Sequence, residues 1–211
     1  MNVANASKYS LVKRIIITVG ILIVWFWTQS LIGHRSLPDG GLGDGMHSLF
    51  APWNQSLHVH PQTANFLLII SSALIDLMGL FLLGRWIFSG IVRPFLGLII
   101  LMGLRQISQA LCALPPPAGI IWHYPGFPSL LVTYGVANDF FFSGHTAIAV
   151  FSGIELGRLN KPWLTGIAIM VVIFEVVVVL VLRAHYTMDV ITGIFAAFCV
   201  ASLTSKWKSV S

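Results

Sequence analysis

Two short histidine-containing runs, Ser143-Gly144-His145-Thr146 and His185-Tyr186-Thr187-Met188-Asp189, stand forty residues apart in a chain with few other ionisable groups. His185 and Asp189 are four positions apart, so on a helix begun by Ala184 they share a face. Asp189 can then accept a hydrogen bond from the inner ring nitrogen of His185. Such a bond fixes the tautomer and leaves the other nitrogen as a nucleophile. His145 follows Ser143, a good helix N-cap, and the free N–H groups and dipole of a helix start favour a phosphate. A nucleophile, an acid and an anion cradle together point to phosphoryl chemistry, with His145, His185 and Asp189 as the catalytic set. Taken singly, each run also fits a structural role, the first as a plain helix cap and the second as a structural hydrogen bond. The case rests on both facing one side of a membrane, where ionisable groups are costly and tend to be functional.

The elements that must position these residues are membrane helices. Of 211 residues, 56% are hydrophobic and only 9% charged, and the mean hydropathy is +0.87, against about 25% charged in soluble domains. Apolar runs cover 15–33, 65–84, 91–112, 145–158, 163–182 and 187–205, to be compared with the ~20 helical residues that cross about 30 Å of hydrocarbon. The expectation is an all-α integral membrane protein, a six-transmembrane-helix bundle made of one domain over residues 1–211. The fourth run is the shortest and is crowded against the fifth by Pro162. The first is long for a secretory signal and no small-x-small cleavage site follows it, so it is expected to remain.

Nine of the twelve Lys and Arg residues fall on one side of such a bundle: Lys8, Lys13, Arg14, Arg85, Arg93, Arg158, Lys161, Lys206 and Lys208. The positive-inside rule makes that side cytoplasmic, together with both termini, and places the histidines on the extracytoplasmic or lumenal face. The net charge of +5 therefore reports topology and gives no case for nucleic acid. Arg35, Arg105 and Arg183 remain, all at the outer face. Guanidinium forks match phosphoryl oxygens, so Arg105 and Arg183 are the expected phosphate clamps, with Ser143 and Gly144 forming the helix-start cradle.

These residues resemble a known family. Asp139-Phe140-Phe141-Phe142-Ser143-Gly144-His145-Thr146 is similar to the D-x3-S-G-H-T motif of sphingomyelin synthases, His185 through Val190 to their H-Y-T-x-D-V, and Arg105 with Leu114-Pro115-Pro116-Pro117 to their R-x8-L-P-x-P. Plant phosphatidylcholine:diacylglycerol cholinephosphotransferases share the three motifs and are similar from Arg105 to Ala201; ahead of these, only Leu37-Pro38-Asp39 and the hydropathy resemble either group. Both belong to the lipid phosphate phosphatase superfamily. The resemblance implies six membrane helices and transfer of phosphocholine from a phospholipid donor to a lipid-alcohol acceptor through a phosphohistidine on His185, with His145 as acid and then base. It calls for no metal and no cofactor. Sphingomyelin synthases carry Cys-Gly where this chain has Ala137-Asn138, and their later Tyr-His is missing after Val190, which favours diacylglycerol over ceramide as acceptor.

Asp139 and Tyr186, inside the motifs, join Trp122 and Tyr124 as headgroup-binding candidates. With Trp53, Phe127 and Tyr134 the aromatics could box a quaternary ammonium, worth up to about 2 kcal/mol per desolvated contact, although Trp and Tyr also gather at membrane interfaces. Gly40 through Gly45 reads as a flexible turn, and His34, His47, His58 and His60 as loop histidines. Cys112 and Cys199 lie too far apart along their helices to be bridged. Asp76 and Glu175 fall inside spans, where helix-to-helix hydrogen bonding is the first expectation, and Glu155 can pair with Arg158. Alternatives are a phospholipase C-type or phosphatase hydrolase, in which water replaces the acceptor, and, outside enzymes, a transporter or lipid-binding scaffold. A transporter would place its polar residues near the midplane.

Overall fold

The computed structural model describes residues 10–33, 42–135 and 140–205. Arg35, His34 and the Leu37-Pro38-Asp39 run lie outside the described residues, as do Asp139 and its Ala137-Asn138 neighbours. All six apolar runs are helices: α1 (Leu11–Gly33), α4 (Pro61–Ile87), α5 (Val92–Leu111), α6 (Gly144–Gly157), α7 (Pro162–Val181) and α8 (Thr187–Ser205). No strand occurs among the described residues. Five of the six are long and apolar enough to cross a membrane; the exception is α6, at 14 residues about 21 Å long. Two further helices, α2 (Gly45–Leu49) and α3 (Ala51–Val59), occupy the stretch expected to be a turn and a loop.

The short helix is the centre of the bundle. It packs against α4, α5, α7 and α8, and 11 of its 14 residues are buried. Small residues at its contacts, Ala147 and Ala149 among them, let neighbouring backbones close in, the usual basis of helix association where apolar burial against lipid gains little. Leu131 and Val132 of the chain that precedes it are buried in the same core. Leu131 of that chain presses on α4, where a Cβ added to Gly79 would stand 2.0 Å from Leu131 Cδ1. Asp76 captures the same segment, accepting from Ser129 Oγ at 2.9 Å, Leu130 N at 2.8 Å and Leu131 N at 2.8 Å. Asp76 is fifteen residues along α4 from Pro61, about 22 Å in at 1.5 Å per residue. Irregular backbone is tolerated at such depth only where protein groups satisfy it. Asp76 was expected to join helix to helix; it instead holds a re-entrant strap.

The other intramembrane acids do link helices. Glu175 of α7 accepts from Ser71 Oγ of α4 at 2.7 Å. Glu155 of α6 pairs with Arg158, as its i+3 spacing suggests, and also with Arg93 of α5 at 2.9 Å. Arg158 further donates to the Ala201 carbonyl of α8 at 3.1 Å, so three helices are tied at the cation-rich end. Cys112 and Cys199 are both free thiols.

Asp76→Ala would leave the Leu130 and Leu131 N–H groups without their acceptor, at about 1–3 kcal/mol for the more buried Leu131 donor. The expected outcome is a fall of at least about 4 °C in the melting temperature of the detergent-solubilised protein; an unchanged melting curve would show that Asp76 does not hold the strap.

Candidate active site

His185 sits in the tight connection between α7 and α8, not on a helix. The turn passes through Arg183, whose φ is +53°. α8 begins at Thr187, and its start is held twice: Asp189 Oδ2 accepts from Tyr186 N at 2.8 Å, and Asp44 accepts from Thr187 N and Thr187 Oγ1, both at 2.6 Å. Because the helix opens two residues after His185, the i,i+4 geometry does not bring the pair into hydrogen-bond contact. His185 Nδ1 lies 3.7 Å from Asp189 Oδ2 and 2.9 Å from the Phe140 carbonyl oxygen. The expected Asp189 bond is thus replaced by a backbone one, with the same consequence for the ring. A carbonyl can only accept, so Nδ1 carries the proton and Nε2 keeps its lone pair. Asp189 is fully buried behind the ring, its Oδ1 without a hydrogen-bond partner.

His145 occupies the second position of α6. Ser143 caps that helix as expected, accepting from Thr146 N at 3.3 Å and donating to Thr146 Oγ1 at 3.0 Å. The two motifs are sewn together again by Ser143 N, which donates to the Asp189 carbonyl at 3.0 Å. The His145 and His185 ring centres are 6.4 Å apart, and His145 Nε2 is buried with no partner. Both rings line one cavity with Gly144, Arg105, Trp122 and Trp25; its interior is about 30 Å³, room for a water or two. Trp122 stands edge-on to His145 at 5.2 Å. Arg105 is buried, donating from Nε to the Phe142 carbonyl at 3.0 Å and from Nη1 to Gln29 and Gln109 at 3.3 and 3.4 Å. A phosphoryl group entering here meets two imidazoles, a guanidinium and a helix start.

Other expected site residues are not brought to the cavity. Arg183 donates to the Ala118 carbonyl and, at 3.1 Å, to the His47 carbonyl, so it braces the outer loops and is no phosphate clamp in this arrangement. Tyr186 is buried, donates to the Pro115 carbonyl at 3.1 Å and stacks on His47; burial pushes its phenol up from the ordinary value. Tyr124 is 59% exposed and meets the cavity only through Tyr134, whose ring lies 6.1 Å from it and 5.0 Å from Trp122. Asp139 lies outside the described residues.

Residues not anticipated complete the frame. His47 donates from Nε2 to the His185 carbonyl at 2.9 Å. Asp44 caps α2 through Met46 N and His47 N as well as gripping Thr187. Burial raises the Asp44 carboxyl, and the bonds from Thr187 and His47 outweigh that and hold it below its usual value. The clamp is therefore complete at neutral pH and is lost as pH falls through that lowered range. An Asp-Gly before a short apolar run is a legible N-cap signal; the Phe140 carbonyl has no signal at all.

Membrane-length helices closing around two facing histidines and an arginine define a class, the polytopic membrane proteins with a paired-histidine site. Within it, the AtPDCT1/2 family model matches residues 45–206, and the chain belongs to that family. It is 22% identical over 157 residues to phosphatidylcholine:diacylglycerol cholinephosphotransferase 1 of Arabidopsis thaliana, covering 74% of this chain and 51% of the relative. To phosphatidylcholine:diacylglycerol cholinephosphotransferase 2 of the same plant it is 23% identical over 126 residues, 60% of this chain and 41% of the relative. The chain thus spans about half the length, or less, of these curated relatives. No solved structure matches it.

Gly193 of α8 lets this site close: a Cβ there would stand 2.8 Å from the Ser143 carbonyl oxygen, a backbone atom that cannot yield without shifting α6. Gly193→Ala is expected to separate the two motifs and cut the activity of the paired-histidine site by about a hundredfold, the scale on which ~1 Å misplacements act. Activity within twofold of the parent would show that this contact does not set the site.

Proposed function

We propose that this protein is a metal-independent phospholipid headgroup transferase, moving phosphocholine from phosphatidylcholine to the hydroxyl of diacylglycerol. The observation that carries the reading is the facing pair of imidazoles. One has its Nδ1 occupied by a backbone carbonyl, which leaves Nε2 nucleophilic; the other has a buried nitrogen with no partner among the described residues. Ring centres 6.4 Å apart suit one phosphoryl group touched from both sides at about 3–3.5 Å. The cation-rich end faces the cytoplasm with both termini, α6 completes six membrane-embedded helices, and the site opens toward the extracytoplasmic or lumenal side.

In the first half-reaction His185 Nε2 attacks phosphorus. The phosphorus–oxygen bond to glycerol breaks, its electron pair stays on oxygen, and that oxygen takes a proton from His145; phosphocholine is left on His185. The phosphodiester brings the negative charge against which a protonated His145 is stable. Arg105 and the start of α6 neutralise the non-bridging oxygens. In the second half His145 removes the proton of the acceptor hydroxyl, the oxygen attacks phosphorus, and the phosphorus–nitrogen electron pair returns to His185. Asp189, with Oδ2 3.7 Å from His185 Nδ1, supports positive charge on His185. Trp122 is the aromatic wall beside His145 for the choline cation.

The decisive assay supplies phosphatidylcholine and labelled diacylglycerol in vesicles: label is expected in phospholipid, whereas water-soluble phosphocholine with unlabelled phospholipid would make the protein a hydrolase. Without acceptor, an acid-labile adduct should map to His185. His145→Ala should stall on phosphatidylcholine yet still load His185 from a donor with a phenolate leaving group; an adduct on His145 would reverse the roles. Arg105→Lys should keep the fold and lower turnover by about tenfold or more, since a point charge does not replace the fork.

A further inference from the structure

α1 is fastened to the bundle by a polar clamp near each end. Among its described side chains, Thr18 and Gln29 are the fully buried ones. Near one end Arg14 donates to the Trp86 carbonyl at 2.9 Å; near the other Gln29 Oε1 accepts from Arg105 at 3.3 Å and from Gln106 Nε2 at 3.0 Å. Between the clamps Ile21, Leu22 and Trp25 pack on the bundle, and beside them a groove of about 650 Å³ opens between α1, α4 and α5, lined mostly by apolar side chains, a volume within the range of small-molecule sites. Trp25, Met102 and Leu131 wall both this groove and the histidine cavity, so the two spaces meet at one partition.

Two polar atoms on residues that line the groove lack partners among the described residues. Trp25 Nε1–H is a buried donor and Gln106 Oε1 a buried acceptor. A buried unpaired polar group is costly. A glycerolipid with a free hydroxyl and ester carbonyls offers the complementary pair, a donor for Gln106 and an acceptor for Trp25, on top of apolar tails. The groove lining has no ionised side chain, which suits a neutral lipid end.

We propose that the groove beneath α1 is the one site for the diacylglycerol moiety, both as the leaving part of the donor and as the free acceptor. This rests on the transfer reaction above. There the departing and attacking alcohols are the same chemical species, and the second half-reaction is the reverse of the first, so both pass through the same place. Trp25 then divides the tails from the reacting headgroup.

Gly103 lines the groove, and a Cβ there would meet nothing within 4 Å, so Gly103→Phe can obstruct the groove with little strain. Gly166→Phe, on the outward face of α7, is also free of close atoms and serves as the control. In Gly103→Phe, loading from dioleoyl-phosphatidylcholine and transfer to dioleoylglycerol are both expected to fall by about tenfold, against less than about threefold for the dihexanoyl lipids. Equal loss for long and short chains, no loss, or loss in one half-reaction alone would overturn the single-site assignment. Binding is read independently of turnover with Gly103→Cys in a Cys112→Ser, Cys199→Ser background. Dioleoylglycerol should slow N-ethylmaleimide labelling and dihexanoylglycerol should not; unprotected labelling overturns the groove. Protection in a parent that transfers no headgroup would bring down the reaction and leave the diacylglycerol groove standing.

Discussion

The hydrogen bond from His185 Nδ1 to the Phe140 carbonyl at 2.9 Å is the contact on which the site depends. It joins the two histidine motifs, sets the tautomer of the ring and leaves the opposite nitrogen facing the cavity. For that carbonyl to be in place, the chain before α6 must already lie inside the bundle. The short α6, the strap pinned by Asp76 and the buried Ser143 cap all follow from this placement. In lipid an unsatisfied backbone group costs several kcal/mol, so each irregular stretch is answered by a side chain at a named position.

The distribution of ionisable groups follows the same logic. Asp76 satisfies strap N–H groups, Glu155 neutralises Arg93 and Arg158, and Glu175 bonds Ser71. None of the three lines the histidine cavity. Charge at depth is thus committed to assembly, and the cavity holds only imidazoles and one guanidinium. That site carries positive or neutral groups and awaits an anion, which is the polarity a phosphodiester requires.

Much of this was legible in the sequence, and the failures share one cause. The six helices were readable because membrane length and hydropathy are properties of a segment alone. Ser143 as a cap, and the meeting of His145, His185 and Arg105, followed from motif type and from one-sided placement. Asp189 was tied to His185 by helical periodicity, but the helix opens at Thr187 and the carboxylate caps Tyr186 instead. Arg183 was read as a phosphate clamp from charge and position, while the turn at its positive φ aims the guanidinium at loop carbonyls. Gly40 through Gly45 read as a flexible turn, yet Asp44 within it grips α8. In each case the deciding partner is a backbone group, local for Asp189 and contributed by a distant segment for Arg183 and Asp44, and backbone groups are the same at every residue.

The same frame bears on the choice between transfer and hydrolysis. A phosphohistidine is open to any hydroxyl that reaches it, and water is by far the most abundant. A cavity of about 30 Å³ under Trp25 and Trp122 holds little solvent, so the balance turns on which opening is easier. The wall shared with the groove under α1 is made of side chains, and α1 itself is held by two polar clamps with Ile21, Leu22 and Trp25 packed between them. Moving it exchanges helix–helix and lipid–lipid contacts for helix–lipid contacts, at small cost in a medium as apolar as the helix surface. On the side of the α7–α8 turn, by contrast, the cavity is bordered by loops stitched through Asn54, His47, Arg183 and Asp44 to the carbonyls and helix start that hold His185. Opening that side would strip hydrogen bonds from the His185 turn itself. Lipid entry past α1 costs the Gln29–Arg105 contact and leaves the His185 turn assembled, whereas entry through the loops takes that turn apart, and on the transfer reading this asymmetry favours a lipid hydroxyl over water as the acceptor.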